Sequence, residues 1–251
     1  MDKIRNTPAK VLRRMGFMTD QQGIINRYRR DKEGWDFHLR RTRSFILDCL
    51  PSAVERIVVL GSGWGLDLPL DELAEASKEL ILIDITHPMM MRRKARRFDH
   101  VRLVDMDLTN GAVEWFFRNR KQVSSLRGLM LSPPNLPEAD LTISLNMMTQ
   151  LDRFIVDYMA EKNLMSLEEI KPWREKIQRN HLQSLSSPFC LISDYEEQIS
   201  YQDGQQEVIP TLYTNFPDAE KEDSWIWPFD HHGYYYTKAR VDLAVKAVYS
   251  G

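Results

Sequence analysis

From residue 56 onward, short segments rich in apolar residues alternate with stretches whose apolar residues recur at helical spacing. The short segments predict strands at residues 57–60, 80–83, 101–104, 140–145 and 189–193, and the uninterrupted run at 57–60 is typical of a strand covered on both faces. The helical stretches lie at about 66–74, 88–98, 112–125 and 168–186. Because strands that alternate with helices are joined by right-handed crossovers, this order predicts a parallel sheet.

The last quarter of the chain has a different pattern. Residues 198–201 and 207–213 flank Asp203-Gly204, a pair typical of a hairpin turn, and residues 225–227 and 241–249 predict two more strands without a helix between them. These strands are expected to be antiparallel. The sequence therefore predicts an α/β fold with a Rossmann-like, mostly parallel sheet, flanked by helices and carrying antiparallel strands at its C-terminal edge.

Ahead of the first strand lies a basic helical segment. Over residues 35–50, one helical face carries Trp35, His38, Leu39, Thr42, Ile46 and Cys49. Residues 1–50 contain 12 Lys and Arg against 6 Asp and Glu, whereas residues 187–251 contain 4 against 11. The basic segment either meets nucleic acid or another acidic partner, or packs on the acidic tail, which we favour. We treat 1–50 as this segment, 51–251 as the Rossmann-like part, and the whole as one structural domain.

Composition restricts the class of protein. The chain has 251 residues, of which 43% are hydrophobic, and a formal net charge of -2, which excludes wholesale disorder. Two cysteines are too few for a disulfide framework, and no apolar run approaches the length of a membrane span. We expect a cytoplasmic globular protein without a membrane partner. Its oligomeric state is not indicated by the sequence.

Three features are expected to meet at the carboxyl ends of the predicted strands, where open α/β sheets bind ligands. A glycine turn, Gly61-Ser62-Gly63-Trp64-Gly65, follows the first strand, and Asp84 ends the second. Asp105 or Asp107 ends the third. A glycine turn lets backbone approach a ligand closely, and an acid about 20 residues later can accept hydrogen bonds from ribose hydroxyls. Together they predict an adenosine-containing cofactor, although Asp84 alone could equally cap the helix near Pro88.

A nicotinamide dinucleotide is the less favoured cofactor. Its fingerprint places a third glycine where this chain has Leu66, and Asp67 adds a negative charge near the helix end that would face a pyrophosphate. The antiparallel C-terminal strands are also unlike the second mononucleotide-binding half of a dinucleotide fold.

From about Trp35 to the C-terminus, the chain resembles the class I S-adenosylmethionine-dependent methyltransferases. The resemblance is carried by the strings at 58–65, 82–84, 104–107 and 140–146. It implies S-adenosylmethionine as cofactor, with the methionine part held by the turn of Gly61, Ser62, Gly63 and Gly65. It also implies that Asp84 binds ribose, that Asp107 contacts adenine with Asp105 as its rival, and that Asn146 lies beside the reactive sulfur.

Two further points qualify the resemblance. The strings at 65–70 and 146–151 resemble an uncharacterised bacterial branch of these proteins more specifically. The family usually has an acid two residues before the first glycine, where this chain has Val59. Asp67 is a candidate to replace it from the other side of the turn; without a replacement, cofactor binding would be weak or absent.

No residue pattern identifies the catalytic group. His38 either closes over the cofactor or is a packed core histidine, and we favour the core. His87 either touches adenine or caps the Pro88 helix, and we favour the cap. Asn146 and Gln150 either orient a substrate or satisfy local backbone groups.

Other conspicuous groups are expected to be structural. Adjacent His231 and His232 would point apart, and no His, Cys or Asp spacing matches a zinc or iron site, so we expect no metal. The basic run 92–97 is expected to be a solvated helix face rather than a phosphate contact. The aromatic residues at 225, 227 and 234–236 either stack a planar substrate or form a core edge, the latter being favoured.

The function expected from the sequence is S-adenosylmethionine-dependent methyl transfer to an unidentified, small-molecule acceptor. Two alternatives stay open. One is a catalytically silent methyltransferase-like binding module, suggested by Val59 and by the absence of an obvious base. The other is a nucleic-acid methyltransferase, suggested by the basic segment and the 92–97 run.

Overall fold

The computed structural model describes residues 7–121 and 128–251, and within these ranges the chain forms eight helices and eight strands. The helices are α1 (Ala9–Met15), α2 (Phe17–Arg30), α3 (Lys32–Asp48), α4 (Leu70–Ala76), α5 (Met89–Ala95), α6 (Ala112–Asn119), α7 (Arg153–Glu161) and α8 (Leu167–Ser184). The strands are β1 (Arg56–Leu60), β2 (Glu79–Asp84), β3 (Val101–Asp105), β4 (Leu141–Leu145), β5 (Phe189–Tyr201), β6 (Gln206–Pro210), β7 (Lys221–Asp230) and β8 (Ala239–Ser250).

The strands form one mixed sheet with the order β3-β2-β1-β4-β5-β8-β7. The first five strands are parallel, β8 is antiparallel to both β5 and β7, and β6 pairs antiparallel with the far end of β5. The predicted fold class is confirmed. Strand order reverses at β1, which lies between β2 and β4, so the carboxyl ends of these strands border the crevice where ligands of such sheets bind.

Both faces of the parallel strands are covered, as their apolar runs require. Along β1, Ile57 and Val59 contribute to one core, and Val58 and Leu60 to the other. Buried side chains of α3, α4 and α5 form the first core with them, and those of α1, α6, α7 and α8 form the second. The sheet is therefore held between two layers of helices.

The C-terminal strands differ in length from the prediction. Residues 189–193 and 198–201 belong to a single strand, β5, whose register against β8 shifts between Asp194 and Glu196. The polar stretch between the two predicted strands is compatible with strand structure because it lies beyond the parallel part of the sheet and is only partly covered. The predicted turn at Asp203-Gly204 is present, with Gly204 at a φ of 90°.

Several helices differ from the expectation. Helix α7 was not predicted, and within the helical segment 1–50 only the helix from about Trp35 was located, so α1 and α2 had no predicted bounds. Helix α4 begins at Leu70 rather than near Leu66, with Pro69 as its N-cap residue. Proline disfavours helical backbone in the residue before it, which accounts for the late start. The helix predicted at 112–125 is observed as α6, ending at Asn119; residues 122–127 lie outside the described part of the chain.

The N-terminal helical segment packs on the C-terminal strands. The Trp35 indole Nε1 donates to the Phe229 carbonyl oxygen at 3.0 Å, and Arg41 forms an ion pair with Asp223. This geometry agrees with the favoured expectation that the basic segment contacts the acidic tail. Among the helices in residues 7–121 and 128–251, none is long and apolar enough to cross a membrane.

Candidate functional site

A cavity of about 310 Å³ lies at the carboxyl ends of β1, β2 and β4 and is bounded by α2, α3 and the end of β7. Six of the seven residues predicted to bind the cofactor line it. They are Gly61, Ser62, Gly63, Asp84, Asp107 and Asn146. The seventh, Gly65, does not. The volume falls within the range of small-molecule sites.

The position of Gly61 can be occupied only by glycine without local movement. Its φ is 85°, and an added Cβ would lie 2.2 Å from Met147 Cγ and 2.5 Å from the Leu145 carbonyl oxygen. The Gly61 N–H donates to the Ile83 carbonyl oxygen at 2.8 Å. Close packing between the ends of β1, β2 and β4 therefore fixes the start of the turn.

Asp84 holds the middle of the same turn. Its Oδ2 accepts from the Gly63 N–H at 2.8 Å, and burial raises the pKa of its carboxyl group. The alternative in which Asp84 caps the following helix is wrong, because α5 has Pro88 at its N-cap and no side-chain cap. Around Gly63, an added Cβ would meet only the Gly61 carbonyl oxygen, at 4.0 Å, so the backbone is open to the cavity here.

Gly65 has a packing role in place of the predicted position in the cavity. Its N–H donates to the Ser62 carbonyl oxygen at 2.8 Å, and its φ is 59°. An added Cβ would lie 3.2 Å from Met91 Cε, because the start of α5 packs against the turn at this point. A third glycine in the motif is thus explained by close helix packing.

The two acids after β3 have different surroundings. Asp107 lines the cavity, and its Oδ1 accepts from Thr109 N and Oγ1 at 2.9 and 2.6 Å. Burial raises its pKa. Asp105 lies outside the cavity and pairs with Arg92 at 2.8 Å. Of the two rivals for the adenine contact, Asp107 is the one that borders the cavity.

The favoured interpretation of His87, a cap on the following helix, is wrong. Its Nδ1 lies 2.6 Å from Asp105 Oδ1 and its Nε2 lies 3.0 Å from Ser62 Oγ, so the ring joins β3 to the glycine turn. It neither caps α5 nor lines the cavity. Burial opposes ionisation of Asp105, but the hydrogen bonds from His87 and Arg92 outweigh it and lower the pKa of that carboxyl group.

Asn146 and Asp67 meet across the cavity floor. Asn146 has a φ of 50°, and its Nδ2 donates to Asp67 Oδ2 at 2.8 Å. Its Oδ1 is buried and has no hydrogen-bond partner in the described part of the chain. Burial raises the pKa of Asp67, which also lines the cavity, whereas Val59 is fully buried in the core. Gln150 is another cavity residue.

His38 and three of the aromatic residues border the cavity from the other side. His38 is fully buried, its Nδ1 accepts from Trp225 Nε1 at 3.0 Å, and its ring stacks on Trp227 at 3.7 Å between centroids. It therefore packs in the core and also lines the cavity. Trp227, Tyr235 and Tyr236 line the cavity as well.

The remaining candidates lie away from the cavity. His231 lies 2.6 Å from Asp242, and His232 lies 3.7 Å from Asp31. In residues 7–121 and 128–251, no group of three His, Cys, Asp or Glu side chains is placed to hold a metal. In the basic run, Arg92 pairs with Asp105 and Arg97 pairs with Asp71, so part of its charge is used within the chain.

Several cavity residues were not singled out from the sequence. They include Arg27 on α2, Arg153 on α7, and Asp194 and Glu197 on β5. The apolar residues of α7 recur at helical spacing and could have indicated that helix. Helix α2 is mostly polar, with a single buried residue, Ile25, so the pattern gives little sign of it.

Three solved structures illustrate what the chain is similar to. N-methyltransferase NodS from Bradyrhizobium japonicum WM9, with S-adenosyl-l-homocysteine, is 14% identical at a TM-score of 0.35, over 82% of this chain and 85% of that chain. Burkholderia thailandensis 1,6-didemethyltoxoflavin-N1-methyltransferase is 10% identical at a TM-score of 0.45, and the match covers 98% of this chain and 94% of that chain. The 23S rRNA methyltransferase ErmE is 10% identical at a TM-score of 0.32, and the match covers 84% of this chain and 68% of that chain.

All three are methyltransferases, the class that the sequence motifs resemble. The TM-scores are all below 0.5. The fold class therefore rests on this chain's own strand order, and no residue role is taken from these structures. No protein-family model and no curated protein matches the sequence. The narrower resemblance to a bacterial branch stays a prediction.

Proposed function

We propose that the protein is an S-adenosylmethionine-dependent methyltransferase that acts on a small molecule. The observation that supports this most strongly is the convergence of Gly61, Gly63, Asp84, Asp107 and Asn146 on one cavity at the point where strand order reverses. These residues are separated by up to 85 positions in sequence.

The donor set of the cavity fits such a cofactor. When bound, S-adenosylmethionine supplies an electrophilic methyl group on a positively charged sulfur. The unpartnered Asn146 Oδ1 is a buried acceptor that an ammonium group could satisfy, and the open backbone at Gly63 allows close approach. The carboxylates of Asp67, Asp84 and Asp107 give this part of the cavity a negative character suited to a cation.

In this proposal the residues of the chain bind and orient the cofactor and the acceptor, and they exclude water. Asp84 accepts hydrogen bonds from ribose hydroxyls while its other oxygen holds the Gly63 N–H. Asp107 faces the adenine end, and Asn146 with Asp67 faces the methionine end. A methyl acceptor needs alignment above all, and a base only if its nucleophile is protonated.

The small-molecule acceptor is favoured by how α2 closes the cavity. Trp64 Nε1 donates to the Gln21 carbonyl oxygen at 2.8 Å, and Gln21 Nε2 donates to the Thr86 carbonyl oxygen at 2.9 Å. Helix α2 is thus tied to the loops after β1 and β2. A nucleic-acid strand would have to displace it, and the internal pairing of Arg92 and Arg97 further weakens that alternative.

Calorimetric titration with S-adenosylmethionine and S-adenosylhomocysteine tests the proposal. Asp84→Ala should weaken binding by roughly 1–3 kcal/mol, which is about 5- to 150-fold. Asp140→Ala is the matched control, because Asp140 likewise accepts from backbone N–H groups, at 2.9 and 2.8 Å, but at the opposite end of the sheet. Absence of binding to the folded wild type would refute the proposed function.

A catalytically silent binding module is the second candidate, favoured by the buried Val59 in place of an acid. It predicts cofactor binding without product. Transfer of a labelled methyl group to any compound in an acceptor panel would exclude it.

A further inference from the structure

A second group of cavity residues comes from α2, α3, the end of β7 and the loop after it. We name its rings, Trp35, Trp227, Phe229, Tyr235 and Tyr236, the aromatic wall. Trp227 packs edge-on against Trp35 at 4.8 Å and against Phe229 at 5.1 Å, and Phe229 packs edge-on against Tyr235 at 5.2 Å. Such a wall offers faces and edges to a flat ring.

His38 presents a hydrogen-bond donor beside this wall. Its Nδ1 accepts from Trp225 Nε1, so the lone pair of that nitrogen is occupied. Burial lowers the pKa of His38 to about 3, and the neutral ring must then carry its proton on Nε2. Nε2 is buried and has no partner among the described residues. His38 therefore lines the cavity as a neutral ring with an unused donor, and it is not a base.

Trp227 presents a second donor of the same kind. Its ring stacks on His38 with an interplanar angle of 5°. The indole N–H of Trp35 is bonded to a carbonyl oxygen, and that of Trp225 to His38, whereas Trp227 Nε1 is buried without a partner in the described ranges. Two stacked rings thus each leave one buried N–H without a partner in the described ranges.

Arg27 supplies a positive charge that forms no ion pair within the described ranges. Its Cζ lies 4.8 Å from the Phe229 centroid and 5.5 Å from that of Tyr235. Its Nε and Nη2 are buried and unpartnered, and no carboxylate lies within 4.0 Å of it in residues 7–121 and 128–251. Burial lowers the pKa of Arg27, the charge of Asp20 opposes this effect, and the charge of Arg153, whose Cζ lies 5.1 Å from the Tyr235 centroid, adds to it.

The nearby carboxylates are already used. Asp20 lies 3.9 Å from Arg153, and Glu197 accepts from the hydroxyl groups of Tyr235 and Tyr236 at 3.2 and 3.0 Å. Asp230 accepts from backbone N–H groups of the loop that follows it. A ligand anion would therefore be the partner that Arg27 lacks.

We propose that the methyl acceptor is an aromatic carboxylic acid with a second oxygen on its ring. Its ring packs on the aromatic wall, its carboxylate pairs with Arg27, and its ring oxygen accepts from His38 and Trp227. A planar two-oxygen anion matches the guanidinium fork, and Phe229 contacts both Arg27 and Trp227. The role of this acid as methyl acceptor rests on the proposed function. Its binding can be measured separately from methyl transfer.

The test is calorimetry with benzoate, salicylate, 3- and 4-hydroxybenzoate and indole-3-carboxylate, each against its uncharged amide. Titrations are made without cofactor and with saturating S-adenosylhomocysteine. At least one acid should bind at least tenfold more tightly than its amide. Arg27→Met should remove that preference, whereas Arg30→Met, an exposed arginine on the same helix that stacks on Tyr234, should not. If no acid binds more tightly than its amide, the inference is wrong.

Trp227→Phe tests the contact between the indole N–H and the ring oxygen of the ligand, because it removes that N–H and keeps an aromatic ring. It should weaken the hydroxybenzoate that binds best by about five- to tenfold and leave benzoate unchanged. Equal effects on both ligands would show that the indole N–H does not recognise a ring oxygen.

The competing assignment is that Arg27 holds the carboxylate of the cofactor's methionine part. The ratio of affinities for S-adenosylhomocysteine and 5′-methylthioadenosine, which lacks that part, decides this. Arg27→Met should leave the ratio unchanged, and a tenfold fall would overturn the inference. If S-adenosylhomocysteine binds wild type but no acid does, this inference alone fails. If acids bind but S-adenosylhomocysteine does not, the proposed function fails.

Discussion

Replacement of Gly61 by alanine tests the close packing at the start of the turn. Two costs are expected. The first is the left-handed backbone at a φ of 85°, worth roughly 1–2 kcal/mol for a residue with a Cβ. The second is the overlap of that Cβ with the Leu145 carbonyl oxygen at 2.5 Å, and we expect about 1–3 kcal/mol for such overpacking. Gly61→Ala should therefore destabilise the fold by about 2–5 kcal/mol.

Gly204→Ala isolates the first cost. Gly204 has a φ of 90°, and an added Cβ would meet nothing within 4 Å. Urea unfolding followed by tryptophan fluorescence gives the free energy of unfolding for each variant. The difference between the two losses in free energy of unfolding measures the cost of the overlap at Gly61. Equal destabilisation would refute the reasoning, since it would mean that the ends of β1 and β4 separate without cost.

Three further predictions concern titration, a buried contact and the cavity acid. Burial lowers the pKa of His181 to about 4, so the stability it contributes is present above pH 6.5 and lost as the pH falls. Between pH 7 and 5, wild type should lose about 2 kcal/mol more than His181→Gln in urea unfolding; equal losses would contradict this. Asp105→Ala leaves the buried Nδ1 of His87 without a partner and should lower the free energy of unfolding in urea by roughly 1–3 kcal/mol. Asp71→Ala, which removes an exposed ion pair, should lower it by less than about 1 kcal/mol. Asp67→Asn should weaken S-adenosylhomocysteine binding about tenfold, or ~1.4 kcal/mol, in calorimetry and leave 5′-methylthioadenosine unaffected; equal weakening of both would assign Asp67 another role.

The sheet and its ligand-binding edge could be predicted because their causes are local. Strands buried on both faces favour continuous apolar runs, and this shows in the sequence of β1 and β2. Residues that end such strands, Asp84 among them, then lie at one edge of the sheet whatever the details of the helices. The strand pattern did not decide between Asp105 and Asp107; the family resemblance favoured Asp107, which lies at the cavity border.

The aromatic side of the cavity could not be predicted in this way. Arg27, His38 and Trp227 come together only because α2 and α3 fold back over the last two strands, nearly 200 residues later. Tertiary contacts of this range leave no periodic signal. His87 was misassigned for a related reason: its partners, Ser62 and Asp105, lie on two other segments, so its local position after β2 suggested a cap.

The missing acid at Val59 and the late start of α4 have a common explanation. Val59 faces the helix-covered core, where its register partners are Leu82 and Ile143, so an acid there would be buried among apolar side chains. Pro69 keeps the residues before α4 out of helical structure, which allows Asp67 to reach Asn146 at the end of β4. Arg43 and Lys94 partly offset the effect of burial on the Asp67 carboxyl group. In the proposed function, a loop acid thus takes the place of a strand acid.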